Sequence, residues 1–385
     1  MGSTVYFSGR DGQHGYELWK SDGTAAGTAM VKDLRPGLDS GDAYNLGVAG
    51  GSLFFTADDG ITDTELWKTD GTAAGTVVLT DTRPDQLTHG YPGNLTAGTS
   101  TLFYTNDDAT HGRELWASNG FGAGTGLVKD IDPGSIGGSL RSLATLGNIA
   151  YFAATDGANG QELWRSDGTP AGTVMVKEIR PGAASSYPSE ITVVGSTLYF
   201  KADDGSHGVE LWKSDGTAAG TVLVKDALPG PGFGGISYLH AAGGTLFFSS
   251  YDPATGRELW KSDGTAAGTV VVKDIAPANY SSSPSHLTAV GGTLFFTATD
   301  PTHGYELWKT DGTTVGTVLV KDIGPGSSYF EIGPQQLTPV GSTLFFTADD
   351  GVNGRELWKS DGTAAGTVMV KDITCLLYTS DAADE

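Results

Sequence analysis

Hydrophobic residues gather in short runs along the chain, broken by Gly, Asp, Ser and Thr, and the runs return in a fixed order. One unit, taken from Glu190 onward, contains "ITVVG" (Ile191–Gly195), "TLYFKAD" (Thr197–Asp203), "VELWKSD" (Val209–Asp215) and "TVLVKDA" (Thr221–Ala227). Each run is rich in β-branched and aromatic residues and bounded by turn formers, which predicts four short strands. In the second strand, written "TLFFTA" in other copies, apolar residues fall on both alternating faces, so both faces of the sheet are to be covered. No segment holds a 3.6-residue apolar period long enough to form a helix.

The unit is written eight times. The tryptophans Trp19, Trp67, Trp116, Trp164, Trp212, Trp260, Trp308 and Trp358 follow one another at gaps of 48, 49, 48, 48, 48, 48 and 50 residues. A period in this range belongs to solenoids, propellers and arrays. Stacked blades cover both faces of each sheet, so the fold expected is all-β: an eight-bladed β-propeller of four-stranded antiparallel blades. Second, third and fourth strands occur eight times but first strands only seven, so the first blade is expected to lack its inner strand. Residues 1–374 are read as one propeller. "MGSTVYF" at the start aligns with "VGSTLYF" at 194–200, with Met1 where another copy has Val, so the natural N-terminus is expected further upstream. Residues 375–385, "CLLYTSDAADE", match no repeat and resemble a translated sequencing adapter; they are read as a non-native tail on a fragment of metagenomic type.

The phrase "ELWKSDGTAAGT" (17–28) joins the third strand to the fourth through a turn. Pro170 replaces an Ala of the turn in the fourth copy and Asn119 replaces the Asp in the third, substitutions that suit a turn and carry no catalytic logic. The tryptophan is read as blade-to-blade packing. Its burial is worth roughly 4–6 kcal/mol at most, far below the entropy of ordering a blade, so the copies must bury one another.

The string ELWxxDGTxxGT at this period resembles the bacterial ELWxxDGT repeat family, over Met1 to Thr374. "DPATGRELWK" (252–261) also looks like the tryptophan-docking motif of pyrroloquinoline-quinone-type propellers, which are eight-bladed. The resemblance implies a secreted or cell-surface bacterial protein, part of a larger multidomain chain, and implies no activity.

The formal charge of −22 argues against nucleic acid and anionic membrane surfaces as partners, and no apolar run suits membrane insertion. In an up-and-down blade, the connections after the second and fourth strands leave the same side, and that side holds every variable loop. Its aromatics, Tyr44, Tyr91, Tyr187, Phe233, Tyr238, Tyr280, Tyr329 and Phe330, are the candidate contacts for a protein or glycan ligand. An Asp stands eight positions before each Trp (Asp11 to Asp350) and a Glu two before (Glu17 to Glu356). The Asp is expected to bond its own turn amides, and the Glu to pair with a lysine such as Lys225; the sharper alternative is a calcium site, and no other cofactor is expected. His14, His111, His207 and His303 recur in alternate copies, as duplication of a two-blade unit would leave them, while His89, His240 and His286 stand outside that pattern. No nucleophile elbow, zinc-protease motif or phosphate loop occurs. The expectation is therefore no enzyme and no catalytic or metal residues, but a non-catalytic binding and display scaffold. A calcium-stabilised carbohydrate-binding propeller, or an enzyme with a central-channel site, stands as the alternative.

Overall fold

The computed structural model describes residues 4–82, 90–108, 110–133, 140–227, 235–277, 280–324 and 333–372. It is an eight-bladed, all-β propeller in which every sheet is built from consecutive strands. Blade 1 has three strands, Val5–Gly9, Glu17–Ser21 and Ala29–Lys32, and the other blades have four, so the missing first strand is borne out. Blade 3 runs through Gly93–Ala97, Leu102–Asp107, Arg113–Ser118 and Thr125–Lys129, and blade 4 through Arg141–Leu146, Ile149–Ala154, Glu162–Ser166 and Val174–Lys177. Blade 6 runs through Ser237–Ala242, Thr245–Asp252, Gly256–Ser262 and Val270–Lys273, and blade 7 through Ser285–Val290, Thr293–Asp300, Gly304–Thr310 and Val318–Lys321. The single helical turn among the described residues, Gly122–Gly124, sits where the third copy departs from the repeat phrase.

Two compact units divide the chain: Met1–Ile191 with Gly216–Thr221, and Thr192–Asp215 with Val222–Glu385. Inside each, neighbouring blades share a core. In the first unit Trp164 joins Phe152 of its own blade to Phe103, Leu115 and Val128 of the blade before. In the second, Trp308 joins Phe296 to Phe247, Leu259 and Val272 in the same way. Consecutive side chains of one strand are buried, as in Leu294, Phe295 and Phe296, because that sheet is covered on both faces. A fourth-strand lysine ties the blades at the rim. Lys273 lies over the Trp308 ring at 5.9 Å and donates to the Thr317 carbonyl at 2.9 Å.

The repeated phrase is a hydrogen-bonded turn. In blade 6, Asp263 Oδ1 accepts from the Thr265 N–H at 2.8 Å and its hydroxyl at 2.7 Å, and Thr265 Oγ1 accepts from the Gly268 N–H at 2.9 Å. Ser262 and Thr269 close the base at 2.7 Å. A Cβ on Gly268 would overlap the Asp263 carboxylate and would have to displace it from its turn bonds.

The repeat glutamates do other work than the sequence suggests. Glu162 is fully buried and accepts from the Ile179 N–H at 2.8 Å and the Ser186 hydroxyl at 2.7 Å, clamping both ends of the connection to the next blade. Glu17 holds the N–H groups of Leu34 and Gly41 likewise, at 2.8 and 2.9 Å. The expected pairing with lysine is corrected. Glu210 accepts the Ala227 N–H at 3.1 Å, while Lys225 turns to the next blade, donating to Thr269 O at 2.8 Å over the Trp260 ring. Lys225 stands opposite Leu211 in the ladder, one residue past Glu210, and so leaves from the other face.

The first strands of blades 2, 3, 4, 6, 7 and 8 carry a bulge. In blade 7 the register passes from Ser285↔Thr297 to Thr288↔Phe295, leaving an extra residue on the first strand. His286 occupies the left-handed region there at φ 51°, and Asn45, Asn94, Ser142, Glu190, Tyr238 and Gln336 do so at the matching places of the other blades. Adjacent strand residues ordinarily point to opposite faces. The bulge abolishes that rule at one position in each blade that carries it.

Candidate active site

Between blades 6 and 7 lies a cavity of about 520 Å³, lined by Tyr238, Arg257, Ser283, Ser285, Thr299 and Tyr305 among others. Ser285, at the start of the first strand of blade 7, and Tyr305, near the start of the third, stand in its wall. His286, next to Ser285, and Thr297, opposite Ser285 on the second strand, contact these two without lining the cavity themselves. The Tyr305 hydroxyl lies 2.8 Å from Ser285 Oγ and 3.1 Å from His286 Nδ1. Ser285 Oγ is 3.5 Å from His286 Nδ1 and 3.0 Å from Thr297 Oγ1, and Thr297 also contacts the Tyr305 hydroxyl. The left-handed backbone at His286 brings its ring to the side Ser285 occupies, which a regular strand would forbid.

Burial lowers the His286 pKa below its ordinary 6.5, so the ring is neutral near pH 7 and can accept a proton. Burial likewise raises the Tyr305 pKa, against the hydrogen bonds from Ser285 and Thr297, so the phenol stays protonated. Serine, phenol and neutral imidazole thus form a chain along which a proton can pass from hydroxyl to ring nitrogen. The matching bulge positions in the other blades hold Asn45, Asn94, Ser142, Glu190, Tyr238 and Gln336, so the combination occurs in one copy only. Sequence reading set His286 aside as isolated. The signal it missed is a column of the repeat in which one copy has His following Ser, with Tyr305 nineteen residues on.

A second cleft, of about 640 Å³, lies at the matching place in the first unit and is lined by Arg141, Ser142, Asn159, Gln161, Tyr187 and Ser189 among others. Ser189 corresponds to Ser285, but Glu190 and Val209 replace the histidine and the tyrosine.

Of the aromatics expected to meet a ligand, Tyr44, Tyr91, Tyr187, Tyr238 and Tyr280 are all more than half exposed. Tyr187 and Tyr238 each line one of the two clefts, at φ 50° and 61°, an outlying backbone for a bulky residue. Tyr280 borders a smaller cavity of about 260 Å³ beside Asp300. Tyr44 donates to Asp42 at 3.1 Å. Phe233, Tyr329 and Phe330 lie outside the described residues, as does His89.

The hairpin aspartates bond their own turns, as turn chemistry implied. Asp204 accepts the N–H groups of Ser206 and His207 at 2.8 and 2.9 Å, and the His207 ring lies 2.7 Å from its other oxygen. The Gln13 amide and the His14 ring hold the Asp11 carboxyl down to about 2. Where His is absent, Asn159 or Asn353 bonds the carboxylate through its amide. Among the described residues no three His, Cys, Asp or Glu side chains gather as a metal would need. No described helix is long and apolar enough to cross a membrane.

No family model matches the chain, and no curated protein matches it. Solved structures similar to it include a puromycin hydrolase, with 15% identity, TM-score 0.46, and coverage of 86% of this chain and 53% of that one. A study of two prolyl endopeptidases provides another, with 15% identity, TM-score 0.49, and coverage of 93% and 51%. A third is the β-propeller domain of the Trilobed protease from Pyrococcus furiosus, with 10% identity, TM-score 0.43, and coverage of 86% and 99%. The chain spans about half the length of the first two. The comparisons run against the non-catalytic display scaffold expected from the sequence and toward its enzyme alternative, since the similar structures come from a hydrolase and peptidases; at 10–15% identity they show the fold alone.

Proposed function

We propose that the cleft between blades 6 and 7 is a hydrolytic active site that works by acyl transfer at Ser285. The observation that carries this reading is the Ser285–Tyr305–His286 chain, with Ser285 and Tyr305 in a cavity wall, present in one copy of a repeat that is otherwise nearly uniform. Symmetric positions serve architecture; a local break that gathers nucleophile and base is what catalysis requires.

In the proposed reaction Ser285 Oγ adds to the carbonyl carbon of an ester or amide. Its proton moves to the Tyr305 oxygen as the Tyr305 proton moves to His286 Nδ1. Collapse of the tetrahedral intermediate breaks the bond to the leaving alcohol or amine, which takes the proton from the imidazolium. Water then attacks the acyl-Ser285 ester, giving its proton to His286 by the same path, and the acid leaves as Ser285 recovers its hydrogen. Thr297, 3.0 Å from Ser285 Oγ and donating to the Ser285 carbonyl at 3.1 Å, orients the nucleophile.

The test is hydrolysis of p-nitrophenyl acetate and of aminoacyl p-nitroanilides by the purified chain and by Ser285→Ala and His286→Ala. Turnover above buffer that falls about 100-fold or more in both variants is expected. Turnover unaffected by Ser285→Ala, or none in the unaltered chain, would overturn the reading.

A further inference from the structure

We propose that Arg257 makes this cleft selective for substrates that carry a carboxylate near the cleaved bond. The inference rests on the hydrolytic reading above and gives its substrate class. The chain has a formal charge of −22, with 45 acidic against 23 basic residues, so a cleft arginine without an acidic partner stands out. Among the described residues Arg257 makes no ion pair, whereas Arg35 meets Asp58 at 2.8 Å. Its backbone is fixed by the Ser281 hydroxyl on its N–H at 2.9 Å and by the Ser283 N–H on its carbonyl at 3.2 Å. One guanidinium nitrogen, Nη1, donates to the Gly235 carbonyl, just before the first strand of its own blade.

The matching arginine of blade 3 behaves differently. Arg113 Nη2 donates to Thr105 of its own blade at 2.7 Å. Blade 6 has Ser249 at that place, and the Ser249 hydroxyl receives no such bond. Arg257 is therefore left half-buried, positively charged and bordering a cavity whose other polar groups, from Tyr238, Ser283, Ser285, Thr299 and Tyr305, are neutral. A guanidinium fork with donors to spare in a partly desolvated wall matches a carboxylate, with two parallel charge-assisted bonds. Arg257 and Ser285 line the same cavity, so a carboxylate held by the guanidinium would keep a linked acyl group in the cleft that the serine borders.

Two measurements separate this inference from the reading beneath it. Calorimetric titration of the unaltered chain with succinate and with neutral succinamide should show succinate binding at least tenfold tighter. Arg257→Gln should lose that preference and Arg257→Lys should keep most of it. Hydrolysis of p-nitrophenyl hydrogen succinate should show a KM at least tenfold below that of p-nitrophenyl acetate, and Arg257→Gln should remove the difference. Equal binding of succinate and succinamide by the unaltered chain would overturn the proposal, as would a half-ester handled like the acetate. Arg257-dependent succinate binding with no ester turnover would end the hydrolytic reading and leave the carboxylate seat standing.

Discussion

Replacing Trp164 by Ala tests the mechanical basis of the fold. The indole is 6% exposed and packs against Phe152 within its blade and against Phe103, Leu115 and Val128 of blade 3, with Lys129 over its ring at 5.9 Å. Burial of an indole is worth roughly 4–6 kcal/mol by area, and Trp→Ala changes in packed cores cost about 3–5 kcal/mol once partial collapse is allowed for. Loss of the cation over the ring adds about 0.5–1 kcal/mol. A loss of about 4 kcal/mol is therefore expected, a large share of the roughly 5–15 kcal/mol that holds an ordinary domain. Urea unfolding followed by far-UV circular dichroism measures it as a fall in midpoint at constant slope. A fall in slope would mean that unfolding had split at the blade 3–blade 4 boundary, as nearest-neighbour coupling in repeat arrays allows. Trp164→Phe, which keeps an aromatic ring, should lose less than half as much. A loss under about 1 kcal/mol with an unchanged slope would refute the packing role, because it would mean the cavity costs almost nothing.

The remaining predictions concern the buried carboxylate, the active-site base and the turn. Burial raises Glu306 to about 7, against the Gly324 N–H that favours its charged form. Between about pH 4.5 and 7 the folded chain thus holds a proton that the unfolded chain has lost, so stability should fall as pH rises through that window. Glu306→Gln should flatten this part of the profile and raise stability at pH 8 by on the order of 2–3 kcal/mol; a Tm at pH 8 lower than that of the unaltered chain would contradict it. Because burial lowers the His286 pKa, the rising limb of kcat/KM for ester hydrolysis should have its midpoint below pH 6.5 and be flat from neutrality upward. A midpoint above the ordinary histidine value would refute the neutral-base assignment. Gly268→Ala would drive a methyl into the Asp263 carboxylate and should cost about 1–3 kcal/mol in thermal or urea unfolding. Unchanged stability would show that the turn can open without penalty.

Architecture was legible because the chain states it eight times. Alternating apolar residues bounded by Gly and Asp gave the strands, their count gave the three-stranded first blade, and the "SDGTAAGT" turn needs only contacts within eight residues of itself. Asp bonding to its own hairpin is equally local. The glutamate was misread because its partners stand 17 to 24 residues away, on a loop whose course sequence does not give. The lysine was misread because the ladder register places it beside Leu211 instead of Glu210. His286 was passed over for a related reason. Its neighbour in sequence, Ser285, would face away from it in any regular strand, and Tyr305 lies two strands over.

The sequence by itself therefore determined the repeat, the blade and the turn, since periodic burial and short-range hydrogen bonding are written in adjacent residues. Tertiary structure alone decided which side chains share a cavity. That depends on a bulge in the left-handed region and on strand register, which bring His286 into contact with Tyr305 beside Ser285 and put Ser285, Tyr305 and Arg257 on the wall of one cavity.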